Sequence, residues 1–269
     1  MTPVALATDT AWTTDDVRVG GLTLRLRKGG AGDPMLVLSH DIGSLERLPF
    51  YDLLARRYTV YVPSHPGFDG SERPAWMRSV RDVAVVYQLL LASIGATNAS
   101  LVGLGFGGWI AAEMATMSPE AIRRLVLVGA MGVKPIHGEI LDQAIVSYID
   151  YARAGFEDQG VFDRIFGAEP PTSLLEQWDL NREMTFRIAW KPYMYNPTLP
   201  HLLGGVRTPA LIVWGRGDRV VPLECGEAYA RALPRSRLAV VERSGHFVDM
   251  EQPEALAKLI FEFVTQDVP

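Results

Sequence analysis

Apolar and polar residues along this chain follow two different periods. Residues 17–19 and 22–27 alternate around Gly20-Gly21, the pattern of a β-hairpin. Residues 35–38 and 58–62 are short continuous apolar runs, which read as strands buried on both faces. Ser79 then opens a helix. Asp82, three positions on, completes a capping box, and Val80, Val83, Ala84, Tyr87, Leu90, Leu91 and Ile94 form one apolar stripe at helical spacing. Residues 100–102 and 124–128 read as strands flanking a helix at 106–117 that stops near Pro119. The alternation breaks over residues 131–205, where β-like runs are few and aromatics and prolines are many; this predicts a mostly helical insertion. It resumes with strands at 210–214 and 237–241 and helices at 226–232 and 253–264. The first fifteen residues read as a loose arm.

Strands alternating with helices imply parallel pairing with helices on both faces. The predicted class is therefore α/β: a mostly parallel sheet of eight strands built from residues 1–130 and 206–269, with a helical cap at 131–205. A chain of 269 residues suits one such domain with an insertion. Hydrophobic content of 48% and a net charge of −5 describe an ordinary packed protein, with nothing that attracts nucleic acid or an anionic membrane. The single cysteine, Cys225, excludes an intrachain disulfide and agrees with a reducing compartment. Residues 1–10 show neither a basic start nor a continuous apolar run, so no signal peptide is expected, and no stretch is long enough to span a bilayer. The expected location is the cytoplasm.

Three loops follow predicted parallel strands, at the carboxyl edge where open α/β sheets bind ligands. They are Gly103-Leu104-Gly105-Phe106-Gly107-Gly108, Gly215-Arg216-Gly217-Asp218 and Ser244-Gly245-His246. In order and spacing they resemble the α/β-hydrolase superfamily over residues 17–266. That family shows a G-x-S-x-G nucleophile elbow, then an acid, then a histidine. Ser39-His40-Asp41-Ile42-Gly43, Pro66-Gly67-Phe68-Asp69-Gly70-Ser71 and Glu251-Gln252-Pro253 also match. The resemblance implies that Asp218 is the acid, that His246 is the base, and that the N–H groups of Ile42 and Phe106 form the oxyanion hole. It fails at one atom: the nucleophile position is Gly105, which has no side chain.

Three readings of Gly105 stand open. His246 and Asp218 activate a water in place of the missing oxygen; or the protein binds its ligand without turnover, as a pseudoenzyme; or the glycine replaces an original serine or aspartate. The leading expectation is an enzyme acting on a small or medium apolar substrate with an ester, C–C or related carbonyl centre. His40 either shapes the oxyanion loop or contacts substrate, and Asp41 is either an extra acid–base group facing the pocket or a solvated loop residue; both are candidates for substrate contact, and among the cap aromatics so are Trp178, Phe186, Trp190 and Tyr193. His65, His137 and His201 read as surface or loop residues. No cluster has metal-ligand spacing, so neither metal nor cofactor is expected. Gly103-x-Gly105-x-x-Gly108 also fits the dinucleotide fingerprint. It comes after several strands, however, and residues 125–130 offer no carboxylate for a ribose, which argues against nucleotide binding. A homodimer through the cap is a possibility that similar proteins suggest.

Overall fold

The computed structural model describes residues 11–265. Its strands are β1 (Trp12–Val19), β2 (Leu22–Gly29), β3 (Pro34–Leu38), β4 (Thr59–Pro63), β5 (Ala99–Leu104), β6 (Ile122–Val128), β7 (Ala210–Gly215) and β8 (Ser236–Val241). They form one eight-stranded sheet in the order β1-β2-β4-β3-β5-β6-β7-β8. From β4 to β8 every neighbour is parallel, while β2 runs antiparallel to both β1 and β4. Every residue of β5 and β7 is buried, as expected of strands covered on both faces.

The helices are α1 (Pro49–Ala55), α2 (Val80–Ser93), α3 (Phe106–Met117), α4 (Tyr148–Ala154), α5 (Gln159–Phe166), α6 (Thr172–Ala189), α7 (Leu199–Leu203), α8 (Leu223–Ala232), α9 (Val248–Glu251) and α10 (Pro253–Thr265). The capping box of α2 is present: the Ser79 hydroxyl accepts from the Asp82 N–H, and the Asp82 carboxylate accepts from the Ser79 N–H. α1 and α9 have no counterpart in the periodic pattern, because helices this short carry too few apolar positions to make a stripe.

The loose arm requires correction. β1 starts at Trp12, pairs along its whole length with β2, and anchors its indole N–H on Asp52 Oδ1 at 2.8 Å. Its alternation is hidden because Thr13–Asp16 are all exposed on an edge strand. Residues 1–10, and the expectation that they form no signal peptide, lie outside the described residues.

Two features position the site. The chain leaves β3 for β4 and then returns to the opposite side of β3 as β5. That reversal opens a crevice beyond the carboxyl ends of β3 and β5. Between β6 and β7 the chain leaves the sheet and forms α4–α7. This segment is tied down beside the crevice by Gly132 N–H to Met194 O (2.9 Å), Asn196 N–H to Gly132 O (3.0 Å) and the Asn181 amide to Ile42 O (3.2 Å). Phe156 packs against Phe162, Phe166 and, below them, Phe247. Among the described residues no helix is long and apolar enough to cross a membrane.

Candidate active site

β5 runs directly into α3, and the hinge is Gly105 with φ 52° and ψ −111°. That conformation is strained for any residue with a Cβ and easy for glycine. Its N–H donates to Val128 O at 2.8 Å, and its carbonyl accepts from Met131 N–H at 3.1 Å. Gly107, two residues on, presses so closely on the Leu38 carbonyl that a Cβ there has no room. In the first turn of α3, Gly107 donates to Ser39 O and Gly108 to Gly105 O. These bonds leave unused the N–H of Phe106, the first residue of the helix.

Beyond β8, His246 is fully buried, with Nδ1 2.9 Å from Asp218 Oδ2. A carboxylate only accepts, so Nδ1 carries the proton and Nε2 the lone pair. Asp218 sits in the loop after β7, and its other oxygen accepts from the N–H groups of Val220 (2.9 Å) and Val221 (2.8 Å). Burial disfavours the imidazolium, but attraction to Asp218, Asp41 and Asp249 outweighs it and holds the His246 pKa above its ordinary value. The Glu251 carboxylate grips the histidine loop. It accepts from Gly245 N–H at 2.6 Å and, on its far oxygen, from Asp158 N–H at 2.8 Å.

His40 and Asp41 leave β3 on the opposite side of Gly105, and both are buried. His40 Nε2 lies 2.8 Å from Asp249 Oδ1, and its ring centroid is 5.2 Å from that of His246. A Cβ placed on Gly105 would stand 2.5 Å from His40 Nδ1 and 2.8 Å from His246 Nε2. The two free ring nitrogens therefore converge on the space that a side chain at 105 would fill. Asp41 accepts from the Gln143 amide, and its carbonyl accepts from the Tyr148 hydroxyl. Burial, then the charge of Asp41, pushes the Tyr148 and Tyr151 hydroxyls well above their ordinary pKa, so both stay protonated; the Tyr151 hydroxyl is itself buried without a hydrogen-bond partner. Among the described residues, His40 Nδ1, His246 Nε2, Asp41 Oδ1, Asp249 Oδ2 and Gln143 Oε1 are buried with no partner. Unpaired buried polar atoms are rare in structural cores and typical of sites that hold water or a ligand.

The site residues read from sequence are only partly brought together. Gly105, Phe106, His246, Asp218, His40, Asp41 and Ile42 meet at the crevice. Ile42 lies in a turn closed by Gly43 N–H to His40 O at 3.0 Å. Trp178 is buried against Phe166 and Tyr148, and it lines a neighbouring cavity of about 340 Å³ with Ile42, Gly43, Arg25, Arg27 and Asp69; Gly105, His40, Asp41, Asp218 and His246 are not in that lining. Phe186 and Trp190 are not in that lining. They form an outer aromatic cluster with Tyr193, and Trp190 is 47% exposed. Tyr193 acts from behind: its hydroxyl accepts from Gln143 N–H and donates to Leu141 O, both at 2.9 Å, which steadies the segment that reaches Asp41.

His65 lies in the loop after β4, as expected, but not at the surface. It is buried, its Nε2–H donates to Ser39 O (2.9 Å), and its Nδ1 accepts from the Tyr87 hydroxyl (2.6 Å). His137 and His201 are exposed. Among the described residues no group of three or more His, Cys, Asp or Glu is arranged to hold a metal ion. Asp249 and Gln143 were not foreseen. The only local hint of Asp249 is its place three residues after His246.

A family model described as the alpha/beta hydrolase family matches residues 12–259. The 2-hydroxy-6-oxononadienedioate/2-hydroxy-6-oxononatrienedioate hydrolase of Paraburkholderia phymatum is 28% identical, over 93% of this chain and 94% of that protein. The 2-hydroxymuconate semialdehyde hydrolase of a Pseudomonas species is 27% identical, over 93% of both. Among solved structures, a meta-cleavage product hydrolase from Pseudomonas fluorescens superposes with a TM-score of 0.76 at 20% identity, covering 93% of this chain and 96% of that one.

Proposed function

The chain belongs to the α/β hydrolase family, and from that premise we propose that it hydrolyses an ester or related carbonyl centre in a small or medium substrate, using water where the family uses a covalent nucleophile. One observation carries the reading. His246 Nε2 is buried, unpartnered and directed at the empty side-chain position of Gly105, while its other nitrogen is fixed by Asp218. An imidazole held in this tautomer is a general base. With no oxygen on residue 105 to activate, its substrate is water. His246 takes a proton from that water as the oxygen adds to the carbonyl carbon. Asp218 orients the ring and stabilises its cationic form. The N–H groups of Ile42 and Phe106 receive the negative charge that develops on the carbonyl oxygen. Gly105 can form no acyl-enzyme, so addition and collapse occur on one tetrahedral adduct.

The test uses p-nitrophenyl esters of graded chain length. The wild-type protein is expected to turn them over, and His246→Ala to fall to the uncatalysed background. Undiminished turnover in that variant refutes the proposal. The named activities of the relatives make C–C bond cleavage beside a carbonyl the second reaction to assay. Ligand-induced thermal stabilisation with no product from any of these substrates would favour the non-catalytic binding reading instead.

A further inference from the structure

We propose that His40 and Asp249 form a second acid–base dyad for this reaction, with His40 Nδ1 delivering a proton to the leaving group; the inference rests on the reading of His246 as the base. The two dyads are built alike. Each imidazole is buried, each has one nitrogen bound to a buried carboxylate at 2.8–2.9 Å, and each has its other nitrogen free. The tautomers are complementary. His246 is held through Nδ1 and presents Nε2, whereas His40 is held through Nε2 and presents Nδ1. Both free atoms approach the same point above Gly105.

A third buried histidine serves as an internal control. His65 lies beside His40, but both of its nitrogens are paired with neutral groups, Tyr87 and Ser39. Burial pushes it down to about 4, and it stays uncharged. That is how this fold satisfies a histidine whose work is packing. His40 instead has a carboxylate behind it and nothing in front. Burying that carboxylate is costly unless a cation is formed beside it. The combination suits a group that carries a proton for part of a cycle. Asp41, His65 and His246 complete its titratable surroundings.

His246 Nε2 removes one proton from water while the water oxygen bonds to the carbonyl carbon. As the tetrahedral adduct collapses, the bond to the leaving group breaks and its electron pair departs with that group. His40 enters the cycle as the imidazolium, protonated on both nitrogens with Nε2–H on Asp249, and the leaving group takes the proton from its Nδ1. The proton gained by His246 passes to the neutral His40 through solvent, which restores both rings. A side chain on residue 105 would stand between the imidazoles; glycine lets them face the same water and substrate.

The test compares an ester with a poor leaving group, ethyl butyrate, and one with a good leaving group, p-nitrophenyl butyrate. Asp249→Asn keeps the shape of the buried carboxylate and removes its charge; His40→Gln removes the acid. Each is expected to lower kcat/KM on the ethyl ester by ~100-fold, and to widen the ratio between the two esters by ~10-fold or more. A purely structural role would lower both esters equally, and that result, or no loss on the ethyl ester, overturns the proposal. If His246→Ala keeps its turnover, the parent reading fails separately. A measurement on the unmodified protein stands apart from activity and from variant folding: ¹⁵N NMR of labelled histidines, taken at a pH high enough to leave His40 neutral, is expected to show the remaining proton on Nε2 and none on Nδ1. The opposite tautomer overturns the dyad.

Discussion

Replacing Gly105 with alanine reverses a familiar rule. Gly→Ala at a compatible site stabilises by about 0.4–1 kcal/mol, because it reduces the freedom of the unfolded chain. Here φ is 52° and ψ −111°, a region that costs a non-glycine residue about 1–3 kcal/mol. The new methyl also stands 2.5 Å from His40 Nδ1 and 2.8 Å from His246 Nε2. Neither ring can swing aside freely, since each is tethered to a buried carboxylate. Stretching one such charge-assisted bond costs about 1.5–3 kcal/mol. Strain and steric displacement therefore exceed the entropic gain, and a net loss of about 2–5 kcal/mol is expected. In a domain of this size that corresponds to a Tm lowered by about 5–15 °C, read by calorimetry or thermal circular dichroism. An unchanged or raised Tm would refute the convergence of the two imidazoles on residue 105. Gly105→Ser meets the same obstacle, so it is expected to lose stability rather than to gain an efficient serine nucleophile.

Two pH effects follow from the histidines. Because the His246 pKa is raised above 6.5 and the base must be neutral, the ascending limb of kcat/KM against pH is expected above 6.5; Asp218→Asn moves it downward, and a limb below 6.5 in the wild-type protein contradicts the assignment. His65 has the opposite sign: its folded pKa is about 4 against 6.5 unfolded, so its stabilising contribution is complete above 6.5 and is lost as pH falls towards 4. The loss is about 3 kcal/mol in denaturant-measured stability. His65→Gln should flatten that part of the curve, and an unaltered slope would remove His65 as its source.

Local signals carried most of the fold. The hairpin is legible because alternation on both sides frames two glycines, α2 because its capping box spans four residues, and the elbow because its glycines are crowded within six. Distant partners are not legible. Asp249 is 209 residues from His40, and Gln143 is 102 from Asp41. No period or motif joins such pairs; only the reversal of strand order at β3 and β5 and the return of α9 bring them together. The burial of His65 is hidden from the sequence for a related reason. A histidine between Ser64 and Pro66 looks like loop surface, until Tyr87 from α2 covers it. The aromatics of α6 and the residues after it show the converse limit: spacing within α6 separates its faces, but Trp190 lies just past the helix end and turns outward.

The charge inventory of the crevice argues for chemistry over architecture. Asp41, Asp218 and Asp249 are carboxylates taken out of water within one small volume, with two imidazoles among them. Such an ion cluster stabilises a fold no better than well-packed apolar residues of the same size, and often less well. It also leaves polar atoms without partners, each a further cost if the space stays dry. The rest of the molecule shows no shortage of apolar alternatives: Phe247 packs on both His40 and His246, and Phe156 packs on Phe247 behind it. An expensive polar centre inside an otherwise close-packed apolar shell is the arrangement expected where proton transfer, rather than stability, decided which residues stand there.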